Sequence, residues 1–143
     1  MTERLSGFFG EYGTVHQTSG NKICHYLGIP MIFVSLLGLT ALIPISLFSG
    51  GFDAGQLILC LAGFWYVFLD FKIGIPFVTV AAGSYFLGKT VSVPALWSVF
   101  VLGWILQGIG HYRYEKRSPA FFKNFEHLLI GPLWIFAKFV GYR

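Results

Sequence analysis

Charge is what this sequence has least of. Charged residues fill 11% of its 143 positions, against about 25% in an average soluble domain. A chain of this composition lacks the polar surface to stay dispersed in water, which excludes an ordinary soluble domain. Cysteine is equally scarce. Cys24 and Cys60 form no CxxC pair, which excludes a disulfide framework and a zinc ribbon; both read as small buried hydrophobes. A GxSxG nucleophile elbow, a phosphate-cradling glycine loop and an HExxH motif are all absent. The opening residues mix charge, glycine and aromatics without an apolar run and cleavage site, so insertion is expected through internal spans. No basic motif exists beyond a juxtamembrane run, so no nucleic-acid partner is expected. The net charge of +4 reads as topological bias plus attraction to anionic headgroups.

What the sequence has instead is apolar, 55% hydrophobic and 19% aromatic. Leu27 to Phe48 carries no charge and is long enough to cross a ~30 Å hydrocarbon core at ~1.5 Å per residue. Ser49-Gly50-Gly51-Phe52-Asp53 reads as a turn. Further spans are expected at about Gln56 to Phe71, Ile73 to Leu87 and Ala95 to Ile109. A tight connection at Asp70-Phe71-Lys72 and a turn from Lys89 to Pro94 join them. The second and third lie at or below the usual minimum of ~17 residues, so they read as two crossings or as one re-entrant hairpin. Either reading leaves both chain ends on one side. Ser118-Pro119 carries a helix-start signal. The tail from Leu128 to Val140, interrupted at Gly131-Pro132, suits an interfacial helix. Gly38, Gly63, Gly83 and Gly103 permit close helix packing, within or between subunits.

Arg4 and Lys22 precede the first span, and Arg113, Lys116, Arg117, Lys123, Lys138 and Arg143 follow the last, while the opposite loops offer only Lys89. The positive-inside rule then places both termini in the cytoplasm. The expected fold is all-α: one integral membrane helical bundle over 1–143, with about four transmembrane helices and short interfacial helices at both ends. Residues 1–26 and 110–143 are expected as cytoplasmic segments flanking a bundle at 27–109. Such a multi-pass protein suits a bacterial inner membrane or an endoplasmic reticulum membrane alike.

The four histidines avoid the apolar middle. His16 and His25 precede it; His111 and His127 follow it. Two ends folded together on one side of the membrane would gather the imidazoles into a metal site at its cytoplasmic surface. The first constellation is Tyr12-x3-His16-x4-Asn21-x3-His25-x2-Gly28-x-Pro30. Tyr12 and His16 share a helix face, as do Asn21 and His25. On one straight helix His16 and His25 would be about half a turn out of phase at ~100° per residue. A break at Gly20-Asn21, with Asn21 as cap, would let them converge. The second constellation, Gln107-x3-His111-x3-Glu115, forms one polar stripe at the cytoplasmic end of the last span. Polar groups near membrane depth face a partner or a water-filled cavity. Gln107 suits a hydrogen bond that fixes a histidine tautomer. Glu115 suits a ligand, an acceptor behind a ligand, or half of a surface pair with Arg113 or Lys116. The third, Asn124-Phe125-Glu126-His127, opens the tail helix. Imidazole with carboxylate suits iron, zinc, copper or nickel and not magnesium or calcium.

These motifs resemble the family of small multispanning membrane 2-hydroxy fatty acid dioxygenases of the phytosphingosine-breakdown type. The resemblance runs the length of the chain. It rests on Tyr12 to Pro30 and on Gln-x2-Gly-His-x3-Glu-x3-Pro-Ala, here Gln107 to Ala120. It implies ferrous iron, Fe(2+), held by His16, His25 and His111 with His127 as a fourth ligand. It implies oxygen-dependent removal of one carbon from a 2-hydroxy fatty acid, an α-oxidation at the cytoplasmic face. Tyr12, Asn21, Gln107 and Glu115 would then orient ligands or bind substrate. Lys22, Arg113 or Lys116 would draw in the anionic carboxylate, and the alkyl tail would lie among the spans. Membrane lipid and O2 complete the implied partners. Two other readings use the same residues: a zinc-dependent membrane lipid hydrolase, and a non-catalytic metal-binding or scaffold protein of the membrane. A carrier would place polar groups at mid-membrane, where this chain offers only Ser35, Thr40, Thr79 and Ser84.

Overall fold

The structure is a computed structural model and describes residues 1–46, 51–119 and 124–143. The expected span end at Phe48, the Ser49-Gly50 part of the turn, and Ala120 and Lys123 lie outside the described residues. The described chain is all-α. Its helices are α1 (Glu3–Thr14), α2 (Ser19–Thr40), α3 (Ala54–Leu69), α4 (Phe71–Thr90), α5 (Val93–Gly108) and α6 (Glu126–Phe139). A π-helix over Ile109–Glu115 continues α5.

Side-chain caps account for most of the helix starts. Thr2 Oγ1 accepts the Leu5 N–H (3.3 Å) at α1, and Thr18 Oγ1 accepts the Asn21 N–H (3.4 Å) at α2. Asp53 and Gln56 form a reciprocal capping box at α3. Asp70 ends α3 and caps α4 through the Lys72 N–H (3.1 Å), so the expected tight connection is a single residue. The same carboxylate receives the Thr2 N–H (2.9 Å) and the Tyr142 hydroxyl (3.0 Å). Both chain ends are thereby tied to one end of the bundle. Burial alone would raise the Asp70 pKa; the hydrogen bonds from Thr2, Tyr142 and Lys72 outweigh it and hold it below the usual carboxylate value.

The bundle is organised around α2, which packs on α5, α4 and α3. Glycines set the closest approaches. A Cβ at Gly28 would lie 2.8 Å from the Gly103 carbonyl of α5, and one at Gly38 would lie 2.9 Å from the Gly88 carbonyl of α4. Neither position admits a side chain without parting the helices. At the tied end, Leu5, Tyr12, Ile130, Leu133 and Trp134 join α1 and α6 to Tyr66 and Ile73 in one core.

Three helical stretches are long and apolar enough to cross a membrane: Ser19–Thr40, Phe71–Thr90 and Val93–Glu115. α3 is apolar but shorter, at 16 residues. Leu61, Phe64, Phe68, Phe86 and Trp97 are all more than half exposed, an outward surface suited to lipid.

The helix bounds depart from expectation in physical ways. α2 starts at Ser19, ahead of Leu27, because Thr18 caps it. It ends at Thr40, ahead of Phe48. Past that point Ile45 N–H bonds to the Phe52 carbonyl and Ala54 N–H to the Ile43 carbonyl, each at 2.9 Å, and Pro44 cannot extend a helix. Cys24 is buried as expected, but Cys60 is exposed, on the outward side of α3. The helix expected to start at Ser118-Pro119 would run into 120–123, outside the described residues; the next described helix begins at Glu126, whose N–H bonds to Asn124 Oδ1 (3.0 Å). α6 runs through Gly131-Pro132 without interruption. The Tyr66 hydroxyl holds the turn from outside by donating to the Leu129 carbonyl (2.7 Å). Ser35, Thr79 and Ser84 each bond to a carbonyl of their own helix, leaving no solute-binding row at mid-bundle among the described residues.

Candidate metal centre

His16 lies just past the end of α1, where the helix leaves its last carbonyls unpaired. Its Nδ1–H donates to the Tyr12 carbonyl at 2.6 Å, which at this helix end is otherwise met only by the Val15 N–H at 3.4 Å. The Tyr12 ring stacks on the imidazole, with centroids 3.9 Å apart and planes 13° from parallel. His25, one turn into α2 from Asn21, repeats the device: its Nδ1–H donates to the Asn21 carbonyl at 2.9 Å. The two Tyr/Asn-x3-His spacings therefore work through the backbone. Each puts a carbonyl four residues upstream within reach of Nδ1.

A carbonyl only accepts, so both Nδ1 atoms carry the proton and both Nε2 atoms present lone pairs. These two Nε2 atoms stand 3.0 Å apart. Two acceptors facing each other at that distance are unfavourable unless a cation lies between them. Nitrogens each about 2.1 Å from one ion come about 3 Å apart when they occupy adjacent coordination positions. The pair fits a shared metal.

His111 supplies the third nitrogen. It lies in the π-helix, whose widened turn is a recurrent feature of functional sites. Its ring centroid is 5.1 Å from that of His16 and 4.8 Å from that of His25. One nitrogen from each of the three lies within 4.8 Å of the others. His111 Nδ1 is buried with no hydrogen-bond partner, as a ligand's lone pair would be in the apo protein. All three rings are at most 3% exposed. Burial pushes His16 down to about 4, the Tyr12 carbonyl bond opposing it only in part, so at neutral pH it is the uncharged ligand form. Burial likewise raises the Tyr12 hydroxyl, which stays protonated.

Glu115 holds these pieces together. Its carboxylate accepts the Gln17 N–H (3.0 Å), the Thr18 N–H (3.1 Å), the Thr18 hydroxyl (2.9 Å) and the Asn21 amide (3.1 Å). The Asn21 amide also reaches the Val15 carbonyl (3.3 Å). This is the chain break that lets His16 and His25 converge. It falls at 15–18 with Thr18 as cap, ahead of the expected Gly20-Asn21. Gly20 and Asn21 lie inside α2. Glu115 acts here as the acceptor that fixes the break, and neither Arg113 nor Lys116 pairs with it. Gln107 donates to the Cys24 carbonyl (3.4 Å) and to no histidine; the tautomer role expected of it falls to the Tyr12 and Asn21 carbonyls.

His127 is not among the three histidines whose nitrogens lie within 4.8 Å of one another, though both of its ring nitrogens are buried without a hydrogen-bond partner. It sits edge-on to Tyr12, with centroids 6.0 Å apart, and its Nε2 is 3.6 Å from a Glu11 carboxylate oxygen. It does line the cavity that the trio borders. That cavity, about 380 Å³, is bounded by the three histidines, Gln107 and His127 at one end and runs between α2, α3 and α5 past Ile29, Phe33, Ala62 and Trp104. Its walls are otherwise apolar. Sequence reasoning missed Thr18, though a threonine ahead of Ser-Gly-Asn is a capping signal, and missed the cavity, which no local pattern encodes.

Three neutral imidazoles bordering an apolar pocket suit iron, zinc, copper or nickel. The sequence model of the 2-hydroxy-palmitic acid dioxygenase Mpo1-like family matches residues 2–143. The chain belongs to this family. No curated protein and no solved structure matches it. The family's name suggests an oxygenase acting on a 2-hydroxy fatty acid, and the buried histidine trio is a place where such an enzyme could hold a metal ion.

Proposed function

We propose that this protein is a membrane-bound Fe(II)-dependent dioxygenase that shortens 2-hydroxy fatty acids by one carbon. The observation that carries this reading is the pair of facing Nε2 lone pairs, 3.0 Å apart, at the head of an apolar cavity. The overall conversion, R–CH(OH)–COOH plus O2 to R–COOH plus CO2 plus H2O, balances without an added reductant. Ferrous iron, when bound, supplies the oxygen activation that this conversion needs.

The chain's own residues hold, orient and exclude. His16, His25 and His111 are the ligands, oriented by the Tyr12 and Asn21 carbonyls. Gln107 and His127 face the cavity near the trio and are placed to meet the substrate's carboxylate and hydroxyl; His127 is also near enough to serve as a fourth ligand after a side-chain shift. The apolar wall keeps water from the tail. α3 crosses the membrane with the three longer helices, and the histidine end, flanked by Lys22, Arg113 and Lys116, faces the cytoplasm. Those cations draw an anionic headgroup toward the site.

Oxygen uptake by the anaerobically purified, iron-loaded protein tests this. A 2-hydroxy acid should consume oxygen and yield the acid one carbon shorter, and its unhydroxylated analogue should not. Equal uptake with both, or none with either, would remove the reading.

A further inference from the structure

The cavity is shut where it is polar and open where it is apolar. At the histidine end His16, His25, His111 and Gln107 are all buried. α6 lies across that end: a Cβ at Gly131 would come within 3.0 Å of both Ile29 and the Tyr12 hydroxyl. The Glu115 hydrogen bonds close the 15–18 segment beside it. Farther along the bundle, Leu36 of α2 and Ile58 of α3 line the cavity and are each 38% exposed. Phe125 and Leu129, flanking His127, also line it and are exposed. A residue that lines a cavity and faces outward stands at its rim. All four rim residues among the described residues are apolar.

The opening faces sideways. Successive α2 residues turn by ~100° about the helix axis. Gly28 and Ile32 turn toward α5, where a Cβ at Gly103 would meet Ile32 at 2.7 Å and the Gly28 carbonyl at 2.9 Å. Leu37 and Ala41 turn toward α3, where a Cβ at Gly55 would meet their backbones at 3.0 and 3.1 Å. The two pairs point to roughly opposite sides of α2, and Ile29, Phe33 and Leu36 point between them. Among the described residues, α3 and α5 make no contact with each other comparable to those they make with α2. The cavity is thus a slot with α2 at its back and α3 and α5 at its sides. Its mouth lies beside Leu61 of α3 and Val101 of α5, both more than half exposed, on the surface suited to lipid.

We propose that this slot is a lateral portal, through which a single-chain amphiphile dissolved in the bilayer reaches the histidines from the side, between α3 and α5, without passing through water. The inference rests on the membrane and dioxygenase readings for the identity of that amphiphile. The slot itself states the chemistry of its occupant. Its polar groups stand together at the closed end, and the rest of its wall is apolar. A polar head therefore goes to the histidines, and an apolar tail lies along Phe33 and Ile58. A tail moving from lipid past Leu36 and Ile58 stays in apolar surroundings throughout, since lipid is as apolar as leucine. A tail arriving from the aqueous side would expose each of its methylenes to water and meet the end that α6 covers. The head passes at the level of Phe125 and Leu129, the rim residues beside His127. The product leaves the same way, into the membrane that supplied the substrate.

The test uses the full chain in lipid nanodiscs, with a 2-hydroxy fatty acid that carries a diazirine on its tail dissolved in the bilayer. Light fixes the probe where it lies, and mass spectrometry locates the adducts; iron is not needed. The wild type should carry adducts on slot residues such as Phe33, Ile58 and Phe100, as well as on outward residues such as Phe86. A second protein closes the mouth. Leu61 and Val101 stand one turn from the lining residues Ile58 and Trp104. The variant Leu61→Cys/Val101→Cys, made with Cys60→Ser because Cys60 is the exposed cysteine, is bridged across the mouth by a reducible linker. Bridging should lower slot labelling at least tenfold, leave Phe86 labelled, and be reversed by reduction. Oxygen uptake by the iron-loaded variant should fall and recover in parallel. Adducts confined to outward residues in the wild type, or slot labelling that the bridge leaves unchanged, would overturn the portal. Slot labelling that the bridge blocks, without oxygen uptake in any form of the protein, would keep the portal and remove the dioxygenase. Uptake that the bridge leaves intact would do the reverse.

Discussion

Replacing Glu115 with alanine tests whether the site is assembled from a distance. The carboxylate takes four hydrogen bonds from Gln17, Thr18 and Asn21, and it comes from the same π-helix that carries His111. Removing it frees the 15–18 break from His111 and loosens the distance between the trio's members. Each hydrogen bond to a charged group is worth ~1.5–3 kcal/mol, but Glu115 is only half-buried, and water will satisfy part of what is lost. A net loss of about 2 kcal/mol is the reasonable figure. Expressed through the ligands it weakens metal binding between ten- and a hundredfold, the usual cost of removing a group behind a metal ligand. The assay is anaerobic competition for Fe(II) against a chelator of known affinity. Glu115→Gln keeps an accepting oxygen but turns an amide toward one of the donors, so its loss should be intermediate. Glu3→Gln, remote and exposed, should bind metal as the wild type does. Equal affinity in Glu115→Ala and the wild type would refute the claim that this carboxylate builds the site.

Three other outcomes follow from the same geometry. Gly28→Ala pushes a methyl toward the Gly103 carbonyl, 2.8 Å away, and should cost about 1–3 kcal/mol, read as a lowered unfolding midpoint in detergent. His127→Ala should retain iron and raise the apparent KM for the 2-hydroxy acid several-fold; loss of iron instead would make it a ligand. The metal-free protein should lose stability in acid. His16 is held at about 4 in the fold, against 6.5 when exposed. Unfolding takes up its proton between those values, so its contribution is full above pH 6.5 and is lost as pH falls toward 4. The change is on the order of 3 kcal/mol, read from unfolding midpoints across that range, and a flat profile would contradict it.

Much of this architecture is legible in residues. The scarcity of charge and the long apolar runs specify helices long and apolar enough to cross a membrane, and Asp70-Phe71-Lys72 marks the tight junction that the structure places at one residue. The segregation of the histidines to the ends anticipates the meeting of three of them. What resists reading is long-range. The break before α2 looks best at Gly20-Asn21 on local grounds. It falls at 15–18 because Glu115, separated from Gln17 by 98 positions, accepts its freed N–H groups. Gln107 has the right chemistry for a tautomer bond, but the Tyr12 and Asn21 carbonyls are nearer. Gly131-Pro132 should interrupt a helix, yet Tyr66 of α3 and the buried Ile130, Leu133 and Trp134 hold α6 through it. The cavity beside the histidines exists only once α2, α3 and α5 are packed.

The central claim is that three histidines hold one iron. Metal analysis of the anaerobically purified protein, with His25→Ala prepared beside it, tests it most directly. The account predicts about one iron per chain in the wild type and almost none in the variant. Zinc in place of iron, no metal at all, or equal iron in both proteins would contradict it.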